Sequence, residues 1–184
     1  MRDLRAVFAG SCLGLALLAS GGPVHAGQAA PAPRPADAAS VDALVAALYD
    51  VISGPAGQAR DWNRFRSLFA PGARLLPASP RPDGAAPTAL TPDEYVQRVS
   101  ARFVEAGFFE REVARRVERF GTIAHVFSTY ESRRRAEDPA PMARGINSIQ
   151  LVEHAGRWWI VTVLWDQERQ DNPLPARYLP GADR

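Results

Sequence analysis

The chain has 184 residues, 46% of them hydrophobic, and a formal net charge of +2; that is enough for one domain with a single core, and the near-balance of charge argues against nucleic acid as the partner. All 22 basic residues are Arg, which excludes Schiff-base or phosphate-loop chemistry that needs a lysine. The single Cys, Cys12, leaves no disulfide framework and no cysteine metal site.

Residues 1–26 have a short head with Arg2 and Arg5, an apolar run from Ala6 to Leu18 and the ending Val24-His25-Ala26. This is the layout of a signal peptide cleaved after Ala26, and the run is short for a membrane span. The expectation is an exported protein, periplasmic or secreted, with no membrane contact after cleavage. The remaining 158 residues carry a net charge of +1, because the leader removes Arg2, Arg5 and Asp3. Residues 27–39, GQAAPAPRPADAA, read as a disordered Ala/Pro-rich linker.

Structure is expected to begin at Ser40, an N-cap for a helix whose Val41, Leu44, Val45, Leu48, Val51 and Ile52 recur at helical spacing up to Gly54-Pro55. Asp61 caps a shorter helix with Trp62, Phe65, Leu68 and Phe69 on its apolar stripe, stopped by Pro71-Gly72. Ala73 to Pro77 fits a short strand, and Ala78 to Leu90 a loop. Thr91-Pro92-Asp93-Glu94 is a capping box opening a third helix, with Val96, Val99 and Phe103 on its buried side and Gly107 ending it.

From Phe108 the period changes to alternation. A hairpin turning at Phe120-Gly121 places Val117, Arg115, Val113 and Arg111 opposite Ala124, Val126, Ser128 and Tyr130 on one face. His125, Phe127 and Glu112 fall on the other. The strongest strand signal is residues 144–168, two apolar runs around Ala155-Gly156. With that turn, Leu151, Ile149 and Asn147 share a face with Trp158, Ile160, Thr162, Leu164 and Asp166, while Ile146, Trp159, Val161, Val163 and Trp165 share the other. Both faces are largely apolar, so both are expected to be covered. Residues 169–184, rich in Pro, read as an extended C-terminal tail.

Three helices followed by long antiparallel strands predict an α+β fold with the helices laid on one curved sheet. The Trp62-to-Phe69 helix running into Pro71-Gly72-Ala73-Arg74-Leu75, the Gly121-x-x-Ala124-x-Val126 strand and Gly156-Arg157-Trp158-x-Ile160 resemble the nuclear transport factor 2-like (SnoaL-like) superfamily over residues 40–168. Arg144 to Leu151 and the closing Pro173-x-Pro175 with Tyr178-Leu179 are similar to an uncharacterised secreted bacterial subgroup of it. The resemblance implies a cone-shaped, cystatin-like roll with Trp158, Ile160, Ala124 and Val126 pointing inward. Arg111, Arg115, Ser128, Tyr130, Asn147, Thr162 and Asp166 follow them into the cone as candidate ligand contacts, alongside Trp158.

Apolar walls with a few polar groups suit a small apolar or aromatic ligand, so the expectation is an exported small-molecule-binding domain. The alternatives are an isomerase, dehydratase or cyclase-like enzyme using Asp166 as base with Tyr130 as hydrogen-bond donor, and a non-catalytic assembly domain. The histidines left after cleavage, His125 and His154, lack metal-ligand spacing, and no cofactor or metal is expected. A homodimer is expected through Phe127, Ile146, Trp159, Val161, Val163 and Trp165 on the open sheet face.

Overall fold

The computed structural model describes residues 34–80 and 84–181, so the expected leader and residues 27–33 of the linker lie outside the described residues. Residues 34–39 are not a disordered linker. Pro35–Ala38 forms a single 3-10 turn with Asp37 and Ala38 buried. Asp37 accepts two hydrogen bonds from Arg64, at 2.7 and 2.9 Å. Composition alone hid this anchor, because the Ala/Pro window is held by a charge 27 residues further along the chain.

Helix α1 (Val41–Ile52) is capped by the Ser40 hydroxyl, which accepts from Ala43 N, and α2 (Trp62–Ser67) by Asp61, which accepts from Arg64 N. α2 is shorter than its apolar stripe, since Phe69 already belongs to strand β1 (Phe69–Pro77). Helix α3 (Pro92–Ala106) opens with the expected capping box of Thr91 and Glu94 and closes at Gly107. Four long strands follow: β2 (Phe109–Phe120), β3 (Ile123–Arg133), β4 (Ala143–His154) and β5 (Arg157–Gln167). The sheet order is β1-β5-β4-β3-β2, with β1 parallel to β5 and every other pair antiparallel.

The helices cover one face of the sheet. Leu44, Leu48, Phe65, Val96, Val99 and Phe103 meet Val126, Ile149, Leu151, Trp158, Ile160 and Val163 in one buried cluster. Buried Arg60 holds the helix ends together without any carboxylate. Its guanidinium donates to the Ile52 carbonyl at 3.1 Å, to Gly54 O, and to Phe103 O at 3.3 Å. The carbonyl ends of α1 and α3 carry partial negative charge, which compensates the buried cation.

The Ala155-Gly156 turn stands where the sequence places it, with His154 opposite Arg157 and positive φ at both turn residues. The faces of β5 depart from expectation beyond one point. Leu151 pairs with Ile160 but Gln150 pairs with Thr162, so Val161 is an extra, bulged residue. A one-residue insertion reverses every later side chain. Val163 and Trp165 therefore face the helices, and Thr162, Leu164 and Asp166 face outward.

A second bulge, at Val113, does the same to β2. Arg115 pairs with Ser128, but Glu112 pairs with Tyr130 and Glu110 with Ser132. Arg111 thus points outward, onto Glu131 at 3.0 Å, while Glu112 and Glu110 point inward. The turn itself falls one residue later than expected, with Phe120 opposite Ile123.

The open sheet face is also different from the expected dimer surface. Two of its six residues, Val163 and Trp165, are turned inward. The tail folds back over a third: Tyr178 packs on Phe127 with ring centroids 4.9 Å apart, and its carbonyl accepts from Thr129 Oγ1 at 2.6 Å. Between the tail and the sheet lies a groove of about 350 Å³ that Phe127 and Ile146 line. Trp159 and Val161 remain beside it.

Candidate functional site

At the end of the sheet where β2 and β4 begin and β3 and β5 finish, helices and sheet diverge around a cavity of about 390 Å³. Its walls are apolar and aromatic, among them Phe65, Tyr95, Val99, Phe103 and Trp165. Tyr95 bridges two of these, stacked on Phe65 at 5.4 Å and edge-on to Trp165 at 6.2 Å. Polar side chains share the lining with these walls: Glu110, Asn147, Tyr130, Ser132, Gln167 and exposed Arg102.

Glu110 is the carboxylate of this cavity. It follows Gly107 and a Phe-Phe pair, and the Val113 bulge aims it inward. Burial pushes its pKa up to about 7, opposed by a hydrogen bond from the Asn147 amide at 3.2 Å. The same Asn147 nitrogen donates to the Tyr49 hydroxyl at 3.0 Å, and Tyr49 and Ser128 hydroxyls meet at 2.7 Å. Ser128 Oγ donates in turn to Glu112, which holds Arg115 at 2.6 Å, and Arg115 also reaches Asp42. The buried polar groups behind the cavity thus form one connected set, as buried polar groups require.

Tyr130 stands apart from that set. Its hydroxyl makes no hydrogen bond among the described residues, yet its ring is buried and lines the cavity. Burial, and next the nearby Glu110 charge, raise the Tyr130 and Tyr95 phenols well above their ordinary range, so both stay protonated donors. The ring of Tyr130 crosses β4 at its pair partner Gly145. A Cβ on Gly145 would lie 2.6 Å from the Tyr130 hydroxyl and 2.2 Å from the Asp166 carbonyl, so only glycine admits this placement.

Of the sequence candidates, Tyr130 and Asn147 come together in the cavity. Ser128 is buried one step behind it, and Arg115 is engaged by Glu112 and Asp42. Trp158 is packed in the core under the Arg119 guanidinium, 4.7 Å from the ring centroid. Arg111 and Thr162 lie on the outer face. Asp166, expected as the base, is also outside: its carboxylate accepts from Ser79 at 2.7 Å, Arg169 at 2.8 Å and Asn172 at 3.2 Å. Desolvation raises its pKa, but the bonds from Ser79, Arg169 and the Gln167 N–H outweigh it and hold the carboxyl below its ordinary 3.8. Those partners fix the start of the tail. Among the described residues no group of three or more His, Cys, Asp or Glu side chains is placed to hold a metal.

The architecture is an α+β cone with a cystatin-like fold. Among solved structures, the chain is similar to a protein of unknown function with a cystatin-like fold from Nostoc punctiforme, at 13% identity over 71% of this chain and 90% of that one, with a TM-score of 0.53. It is similar as well to a protein of Kribbella flavida, at 13% identity over 68% of this chain and 86% of that one, TM-score 0.52. A nuclear transport factor 2-like protein of unknown function from Methylobacillus flagellatus aligns at 16% identity over 71% and 95%, TM-score 0.46. No protein-family model and no curated protein sequence matches the chain. These likenesses concern the fold.

Proposed function

We propose that this chain is an exported domain that binds a small, largely apolar ligand in the cone between helices and sheet. One observation carries the reading: a cavity of about 390 Å³ whose aromatic walls surround a carboxyl of raised pKa and a buried phenol without a protein partner. A side-chain-filled core would leave no such space, because voids are costly, and the Tyr130 hydroxyl, without a partner among the described residues, is free to meet a ligand. Export rests on the residues of the leader, namely Arg2, Arg5, the apolar run and the Val24-His25-Ala26 ending.

Binding is tested by thermal shift against a library of steroid-like, polyketide-like and aromatic compounds, using the wild type and Val99→Trp, whose indole fills the cavity. The reading expects stabilisation of the wild type by at least one class and none for Val99→Trp. Equal stabilisation of both proteins would place the ligand elsewhere.

A second reading, proton transfer, is favoured by the Glu110 pKa of about 7, where half of the carboxyls are ionised and ready to act as base. In such a step Glu110 takes a proton from carbon next to a carbonyl, forming an O–H bond as the C–H electrons move into the enolate. Tyr130, kept protonated, donates to the developing oxyanion. The reaction is read by NMR as exchange of ligand C–H for deuterium, lost in Glu110→Gln. Binding without exchange would leave the domain a binder.

A further inference from the structure

We infer that the ligand of the cone carries a single anionic group, a carboxylate, and that Arg102 at the cavity mouth receives it. The inference rests on the reading of the cone as the binding site and names the class of molecule that enters it.

Arg102 lies on α3 and lines the same cavity as Glu110 and Tyr130. It makes no ion pair and no hydrogen bond with any described residue. Several arginines nearby are engaged: Arg60 by backbone carbonyls, Arg111 and Arg133 by Glu131, Arg115 by Glu112, Arg144 by Glu168. Arg98 and Arg134, like Arg102, make no ion pair with a described residue, but among the described residues Arg102 is the arginine that lines this cavity.

The rest of the lining sets the ligand's charge and shape. Glu110, the cavity's carboxyl, has its pKa raised to about 7 by burial and is only partly ionised at neutral pH, so it does not fully offset the Arg102 charge. Ser132 and Gln167, also in the lining, are neutral. A cationic ligand would meet a positive charge at the entrance, and a neutral one would leave that charge unused. A phosphate calls for several donors or a cradle of backbone N–H groups, whereas one planar guanidinium matches a carboxylate. The body behind the carboxylate is apolar, because Phe65, Val99 and Trp165 form the walls it touches.

The test is isothermal titration calorimetry of the full chain with naphthoic, biphenylcarboxylic and decanoic acids, each against its own uncharged primary amide. Because Arg102 is exposed, its contribution is moderate, and at least one acid is expected to bind about fivefold tighter than its amide at low salt. The preference should shrink as salt is added. Arg102→Gln should bind that acid at the amide's affinity, with an unchanged melting temperature. Equal affinity for every acid and amide in the wild type, or a preference that survives Arg102→Gln, would overturn this inference and leave the cone reading standing. Binding of acid and amide alike that is undiminished in Val99→Trp would instead remove the cone itself, and this inference with it.

Discussion

The Asn147 amide donates to the Glu110 carboxylate at 3.2 Å, and this bond is what opposes the burial that drives Glu110 toward its neutral form. A carboxyl whose folded pKa, about 7, lies above its ordinary 4.5 stabilises the fold relative to the ionised state below 4.5 and loses that contribution as pH rises through 7. Stability should therefore fall between those limits by as much as about 3 kcal/mol. Glu110→Gln should flatten this part of the profile, measured by urea denaturation at a series of pH values. A wild-type profile that rises through the same window would contradict the buried placement of Glu110.

Asp37 supplies the opposite dependence. Its hydrogen bonds from Arg64 hold it below the ordinary carboxylate value of 3.8, so its contribution is present above that pH and disappears as pH falls through the lower folded value. Asp37→Asn should cost about 1–3 kcal/mol at neutral pH, since Arg64 is then left with the exposed Asp50 alone. The mutant's loss relative to wild type should vanish in strong acid. Denaturation of both proteins at neutral and acid pH measures it.

Gly145→Ala should displace the Tyr130 ring and strain β4 against β5, because the added carbon has no room between the Tyr130 hydroxyl and the Asp166 carbonyl. A loss of about 2–4 kcal/mol is expected, in the range of overpacked cores. Tyr130→Phe should be close to neutral for stability, as its hydroxyl has no protein partner to lose, and should weaken ligand binding or exchange. A large destabilisation by Tyr130→Phe would mean the hydroxyl is structural.

The tail packs on Phe127 through Tyr178, and Asp166 clamps its start through Arg169 and Asn172. Deleting residues 171–184 should uncover apolar sheet next to Trp159 and Val161, and apolar surface of that extent drives association. Sedimentation velocity is expected to show the full chain as a monomer at micromolar concentration and the truncated chain self-associated. A full-length dimer that survives dilution would restore the sheet face as an interface despite the tail.

Elements whose signal is local were legible in the sequence: the Ser40 and Thr91 caps, the apolar stripes of α1 and α3, the Gly107 stop and the Ala155-Gly156 turn. Of the residues lining the candidate cavity, the sequence places Tyr130 and Asn147 there, on strands whose mutual register runs without interruption through Ile149 and Val126. Glu110 faces the cavity and Asp166 faces away from it for one physical cause. A bulge inserts a single residue, and Val113 and Val161 look like any other strand valine, so nothing in composition says that the faces exchange there. The signal that was available is chemical: Glu110 begins a strand directly after Phe108-Phe109, an acid in apolar company. Asp37 was hidden differently, since its partner Arg64 is distant in sequence.

Native mass spectrometry of the chain, purified without denaturation from the cells that make it, shows whether the cone holds a ligand beside Glu110. A small molecule is expected at one copy per chain, an organic acid by its fragmentation, and absent from Val99→Trp prepared in the same way. The bare polypeptide mass in the wild type, or the same adduct on Val99→Trp, would contradict it.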